Sequence, residues 1–250
     1  MRAHAVAALL VALLAGCSRP PASPPEPPAM TDAPKPTARV LTLPPASGRT
    51  KLLVVLLHGV GASADSFMPI ARALAPAVPD AEFVVLDGLH PFDGGTQGRQ
   101  WFSLQGITEQ NRPARVRQGG AEVSAWLDGA LKERGLGAER VVLLGFSQGA
   151  ILAQWLALHR QPAPLAVVSL SGRLAVDAPA VPGSTSVPVL LVHGARDPVI
   201  PARFSEEAAR ELEARGARVR LRLFPTLVHG VDAAVLDEVQ RFLTDTLPPD

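Results

Sequence analysis

Seven short runs, each apolar almost from end to end, recur along this chain with helix-length segments between them. They cover residues 40–43, 52–57, 82–86, 141–146, 165–170, 189–192 and 219–224. A strand with one wet face alternates polar and apolar residues, whereas a strand covered on both faces does not. All seven therefore read as buried strands. The segments between them carry apolar residues at helical spacing. Phe67, Ile70, Ala71 and Leu74 form one face; Val123, Trp126, Leu127, Ala130 and Leu131 form another, closed by Lys132, Arg134 and Gly135. Phe204, Ala208 and Leu212 make a third, ended by Gly216; Val235, Leu236, Val239, Phe242 and Leu243 make the last, stopped by Pro248 and Pro249. Strand–helix alternation of this kind predicts an α/β fold with a mostly parallel central sheet and helices on both faces. No repeat, second domain or inserted helical block large enough to form a cap domain is visible.

Residues 38–250 carry this pattern; the first 37 do not. Arg2 and an uncharged apolar run at residues 5–15 have the order of an export signal, and the run is too short to span a bilayer. Leu14-Ala15-Gly16-Cys17 resembles the lipobox of bacterial lipoproteins, so residues 1–17 read as a lipoprotein-type signal ending at a lipidated Cys17. The plainer alternative is an ordinary signal peptide with a cysteine there by chance. Residues 18–37 are Pro-rich, cannot bury a core, and read as an extended linker. The expectation is an exported domain anchored by lipid to a bacterial cell membrane, facing the periplasm or the exterior.

Cys17 is the only cysteine, which rules out an internal disulfide and a Cys-based metal cage. A net charge of +1 without long runs of either sign lacks the basic footprint of a nucleic-acid binder. No paired histidines have metal-ligand spacing. The sequence leaves monomer and homodimer open.

The strongest local signal is Gly145-Phe146-Ser147-Gln148-Gly149, a G-x-S-x-G between an apolar strand and a helix-forming run. A serine on so tight a strand-to-helix turn is forced into strained backbone and stands clear of the sheet. Gly145 and Gly149 leave room for the turn. The Gln148 N–H then lies at a helix N-terminus, where it can meet a developing oxyanion. A small-residue turn before a buried helix is the bland alternative.

A serine hydroxyl needs a base near neutral pH, and on such sheets the chain order is serine, acid, histidine. Asp197 follows the strand at 189–192 and His229 follows the strand at 219–224, so all three residues lie beyond C-terminal strand ends, where open α/β sheets bind ligands. Asp177 and Asp232 are alternative acids, although Asp232 is too near His229 in sequence to be its usual partner. His193 and His58, both at strand ends, read as packed residues, with His58 bracing the next loop. His90 and His159 read as surface or loop residues.

His58-Gly59-Val60-Gly61 follows an early strand and precedes a helix. Such a loop supplies the second oxyanion N–H, here that of Val60 beside Gln148. The same letters admit a rival: Gly59-x-Gly61-x-x-Ala64 fits a loose dinucleotide fingerprint, with Asp87 as its ribose-binding acid. That reading leaves Ser147, Asp197 and His229 without a task.

Taken together, H-G-x-G, G-F-S-Q-G, H-G-x-x-D-P-x-x-P and a late H-G resemble the phospholipase/carboxylesterase family, which includes acyl-protein thioesterases. The segment around Arg99, Trp101 and Phe102 is similar to the R-x-W-F stretch of bacterial esterases of that family. The resemblance runs over roughly residues 40 to 245. It implies a compact α/β-hydrolase fold, no cofactor, and a small ester or lipid-like substrate: carboxylic esters, thioesters or lysophospholipids. Carried over by motif, it implies Ser147, Asp197 and His229 as catalytic residues, with Val60 and Gln148 as amide donors. Trp101 and Phe102 are expected either to line the acyl side of the pocket or to pack in the core. One departure is Val228, where many relatives have Gly before the histidine. A catalytically inactive hydrolase fold used for binding is the alternative from another class.

Overall fold

The structure is a computed structural model that describes residues 38–137, 139–176 and 186–247. The signal segment with Cys17, the linker, Asp177, Pro248 and Pro249 lie outside the described residues. The elements are β1 (Val40–Leu43), β2 (Leu52–Leu57), α1 (Ala64–Leu74), β3 (Ala81–Leu86), β4 (His90–Pro91), β5 (Arg99–Gln100), α2 (Arg112–Glu133), β6 (Val141–Phe146), α3 (Gln148–His159), β7 (Ala166–Leu170), β8 (Pro188–Gly194), α4 (Arg203–Ala214), β9 (Arg218–Phe224) and α5 (Ala233–Thr246).

Seven of these strands form one sheet in the order β1-β3-β2-β6-β7-β8-β9. Every pairing is parallel except β1 with β3. Successive side chains of a strand point to opposite faces, so each central strand feeds two cores. Leu53, Val55 and Leu57 of β2 join Val141 and Leu143 of β6 against α2, α3 and α4. Leu52, Val54 and Leu56 join Val142 and Leu144 against α1 and α5. Among the described residues no helix is long and apolar enough to cross a membrane.

Two expectations change in the folded chain. The runs at 40–43 and 219–224 are not buried strands. β1 and β9 are the sheet edges, each with a neighbour on one side only, and both are part-exposed. On β9, Arg220 bonds Asp245 and Arg222 bonds Glu238, both acids on α5, which covers an open edge with charge. The helix read from Val123 to Leu131 is only the second half of α2. Its first half contains Gly119 and Gly120, which are poor helix formers. Both glycines are there for closeness: a Cβ on Gly119 would meet the Trp101 carbonyl at 2.8 Å, and one on Gly120 would run into the Trp155 ring of α3.

Candidate active site

At the end of β6 the chain turns directly into α3, and Ser147 stands on that turn with φ 52° and ψ −115°. This is left-handed backbone that a residue with a Cβ adopts only under constraint. The constraint is close packing. A Cβ on Gly145 would overlap the Gly149 carbonyl, and one on Gly149 would overlap the Leu57 carbonyl of β2. The turn is further fixed by the Ser147 N–H, which donates to Leu170 O of β7 at 2.9 Å.

Two strands away the loop after β8 carries Asp197, and three strands away the loop after β9 carries His229. His229 Nδ1 lies 2.7 Å from Asp197 Oδ2. The other carboxylate oxygen accepts the N–H groups of Val199 at 2.8 Å and Ile200 at 2.9 Å. Burial, the largest influence, pushes the Asp197 carboxyl up, but the His229 bond and the two backbone N–H groups together hold it below its usual range. An ionised carboxylate facing Nδ1 fixes the tautomer with the proton on Nδ1 and leaves Nε2 free to accept.

The Phe146 ring connects these parts. It lies 4.9 Å from the His229 ring, centroid to centroid, and a Cβ on Gly59 would sit 3.1 Å from it. The imidazole, the residue preceding Ser147 and the Gly59 loop thus meet at one rim of the sheet. No hydrogen bond joins the Ser147 hydroxyl to His229 Nε2. In substrate-free hydrolases such contacts are often long and tighten when substrate arrives.

The loop from His58 to Gly61 is built around a buried imidazole. His58 Nδ1–H donates to Gly59 O at 2.7 Å, and Nε2 accepts the Gly88 N–H at 2.9 Å. Burial foremost holds its pKa below 6.5, so it is a neutral brace, as its strand-end position predicted. Asp87, the acid of the dinucleotide reading, instead accepts the Ala64 N–H at 2.6 Å and caps α1. Asp232 likewise caps α5 through Val235. Val60 is half-buried on this loop, and the Gln148 N–H, first in α3, has no intrahelical acceptor.

Sequence reasoning singled out Arg99, Trp101 and Phe102 but missed that their segment ties this loop to the serine turn. At β5, Gly61 N–H donates to Arg99 O and Arg99 N–H to Ala62 O. Two residues on, the buried Gln148 side chain accepts the Trp101 N–H at 2.9 Å and donates to Phe102 O at 2.7 Å. Trp101 Nε1–H donates to His58 O at 2.7 Å. Residues 99–102 are therefore a strap from loop to turn. Trp101 and Phe102 are 1% and 4% exposed and belong to the core cluster, while bordering a cavity of about 440 Å³ with Phe92, Gln100 and Arg115. A larger cavity, about 660 Å³, lies between Lys51, Arg140 and Leu243 at the opposite end of the strands, so concavity alone does not locate this site.

The other histidines among the described residues have structural surroundings. His193 is fully buried between Ser205 and Ile200. His90 pairs with Glu122, and His159 stacks on Trp155. Among the described residues no group of three His, Cys, Asp or Glu side chains could hold a metal ion.

A mostly parallel sheet between two helical layers, with a strained serine turn on a central strand and a histidine–carboxylate pair at the same end, defines an α/β-hydrolase. The chain belongs to the phospholipase/carboxylesterase family, whose sequence pattern matches residues 42–247. It is 35% identical over 201 residues to the esterase YpfH of Escherichia coli (strain K12), covering 78% of this chain and 83% of that protein. The crystal structure of esterase PE8 superposes with a TM-score of 0.77 at 30% identity, covering 84% of this chain and 99% of the other. The Bacillus cereus carboxylesterase, at 20% identity, TM-score 0.70 and coverage of 84% and 95%, shares the fold. The protein is thus an esterase-type hydrolase.

Proposed function

We propose that the protein is a serine carboxylesterase in which Ser147 attacks the ester carbonyl and carries the acyl group as a covalent intermediate. The observation that carries this reading is the His229 Nδ1–Asp197 Oδ2 pair, 2.7 Å long, beside the Phe146–Ser147 turn. His229 Nε2 takes the serine proton during attack and returns it to the leaving alcohol. Water then repeats the sequence in reverse. Asp197 holds the tautomer and stabilises the imidazolium. The N–H groups of Val60 and Gln148 receive the tetrahedral oxygen; a single donor of this type is worth roughly 3–4 kcal/mol. Asp87 capping α1 speaks against the dinucleotide alternative, and the family membership speaks against a binding-only role. Thioesters and lysophospholipids are the other acyl compounds this chemistry opens, and no step needs a cofactor.

A panel of p-nitrophenyl esters of increasing acyl length tests the reading, with Ser147→Ala as control. Loss of roughly 10⁴-fold or more in kcat is expected in that variant. Equal turnover by both proteins would remove Ser147 from the reaction.

The Leu14-Ala15-Gly16-Cys17 motif supports export and lipid anchoring of this enzyme. Metabolic labelling with a radioactive fatty acid should mark the protein and fail to mark Cys17→Ser. Label in both would place the lipid elsewhere.

A further inference from the structure

Behind the Asp197–His229 pair stands a second imidazole that the reaction as described does not use. His193 is the next-to-last residue of β8 and is completely buried. Its Nε2 lies 2.7 Å from Ile200 O and 3.2 Å from Asp197 Oδ2, the same carboxylate oxygen that faces His229. A carbonyl and a carboxylate can only accept, so Nε2 carries the proton. Nδ1 must then accept, and the Ser205 hydroxyl of α4 lies 2.6 Å from it as donor. The acceptors at Nε2 fix the tautomer, and the Ser205 hydroxyl, which also lies 3.4 Å from Gly172 O, turns to match it.

We infer that His193 is a positioning residue for the esterase reaction: its Nε2–H, bonded to Ile200 O and 3.2 Å from Asp197 Oδ2, sets the direction and the charge of the carboxylate that serves His229. This rests on the proposed Ser147–His229–Asp197 reading. Asp197 Oδ1 is held by the Val199 and Ile200 N–H groups, whereas Oδ2 is held, apart from His229, by His193 alone among the described residues. The titratable groups that face His193 are Asp197 and His229; α4 contributes the Ser205 hydroxyl, and β9 lies alongside at Leu223. The sign of the effect follows. An N–H on Oδ2 draws negative charge from the oxygen that stabilises protonated His229. Without it, the imidazolium is held more strongly and persists to higher pH.

The test compares kcat against pH for His193→Leu, which has no donor, and His193→Gln, whose Nε2 amide reaches the same place. His193→Leu is expected to lose roughly ten- to a hundredfold in kcat, with KM little changed, because a misdirected carboxylate leaves the base misaligned. Its acidic limb should move up by about half a pH unit. His193→Gln should recover most of both. A purely structural His193 would lower stability in both variants and leave the limb in place, and that result overturns the inference. Should His193→Leu not fold, the imidazole ¹⁵N–¹H spectrum of the unaltered protein decides: a neutral Nε2–H tautomer supports the inference, and an Nδ1–H tautomer overturns it. Asp197→Asn separates the two levels. If it turns over normally, the underlying triad is wrong; if it is inactive while His193→Leu is normal, only the role of His193 is.

Discussion

The Gln148 side chain lies against the backbone of Trp101, accepting its N–H at 2.9 Å across a sequence separation of 47, and joins the serine turn to the strap that holds the His58–Gly61 loop. The backbone N–H of Gln148 and that of Val60 are therefore tied together through a short chain of buried polar links, in which Gln148 also bonds Phe102 O and Trp101 bonds His58 O. Gln148→Ala leaves a buried N–H on Trp101 and a buried carbonyl on Phe102 without that partner. We expect a stability loss of about 1–3 kcal/mol, together with a fall in kcat. Urea unfolding and ester kinetics on one preparation check both. Full activity in a destabilised variant would mean that the strap does not set the spacing of the proposed oxyanion donors.

Gly149 and Gly129 both lie in helices yet should respond oppositely to alanine. At Gly149 the new methyl would overlap the Leu57 carbonyl, whereas at Gly129 nothing lies within 4 Å. Gly129→Ala should stabilise by about 1 kcal/mol through helix propensity alone. Gly149→Ala should fail to accumulate as soluble protein, or melt far below the parent. Thermal melts of the pair are the measurement.

Stability should fall as the solution is acidified. Burial foremost depresses the imidazole pKa values of His58 and His193 below 6.5 in the folded chain. Between those depressed values and 6.5 the unfolded chain binds more protons, so unfolding becomes easier as pH falls through that window. Asp197, also depressed, adds the same sign at lower pH, below the usual carboxylate value of 3.8. The urea midpoint should therefore drop between about pH 7.5 and about pH 5.5. His58→Gln, less stable at the higher pH, should show a smaller drop. An undiminished drop would mean that His58 contributes nothing to it.

Val228 precedes His229 and is 54% exposed, an unusual exposure for a large apolar side chain in this protein. Its place beside the candidate base suits it to limit the size of the group approaching His229. Val228→Gly should raise kcat/KM for esters with branched or bulky groups by about tenfold, since a few methyls in a pocket are worth that much. Turnover of p-nitrophenyl acetate should hardly change. Parallel gains on both substrates would point to loop mobility instead of size.

Much of this architecture was readable from residue types, and the exceptions have physical causes. Strands β2 and β6 are apolar on both faces, and their limits followed from the sequence to the residue. β9 misled because Leu221 and Phe224 lend it an apolar look, while the arginines between them declare an edge only once α5 supplies Glu238 and Asp245. β4 and β5, at two residues each, are too short to show any period. Ser147 was singled out by its motif, and Asp197 and His229 by their places after strands; the fold brings the last two into contact. The strap was not foreseen, because the Gln148 and Trp101 side chains are recognised as polar partners only when the turn and β5 face each other. The nearness of His193 to Asp197 had a weaker signal, two polar residues four apart at a strand end, and burial gave it meaning.

The order of the strands has a consequence for the chain as it is being made. In the proposed reaction the attacking oxygen and its amide donors come from residues before β7, and the proton carrier, His229, comes from the loop after β9. A growing polypeptide can assemble β2, β6 and the serine turn and still be inert. On that proposal hydrolysis begins only when the final strand docks and brings His229 to the rim.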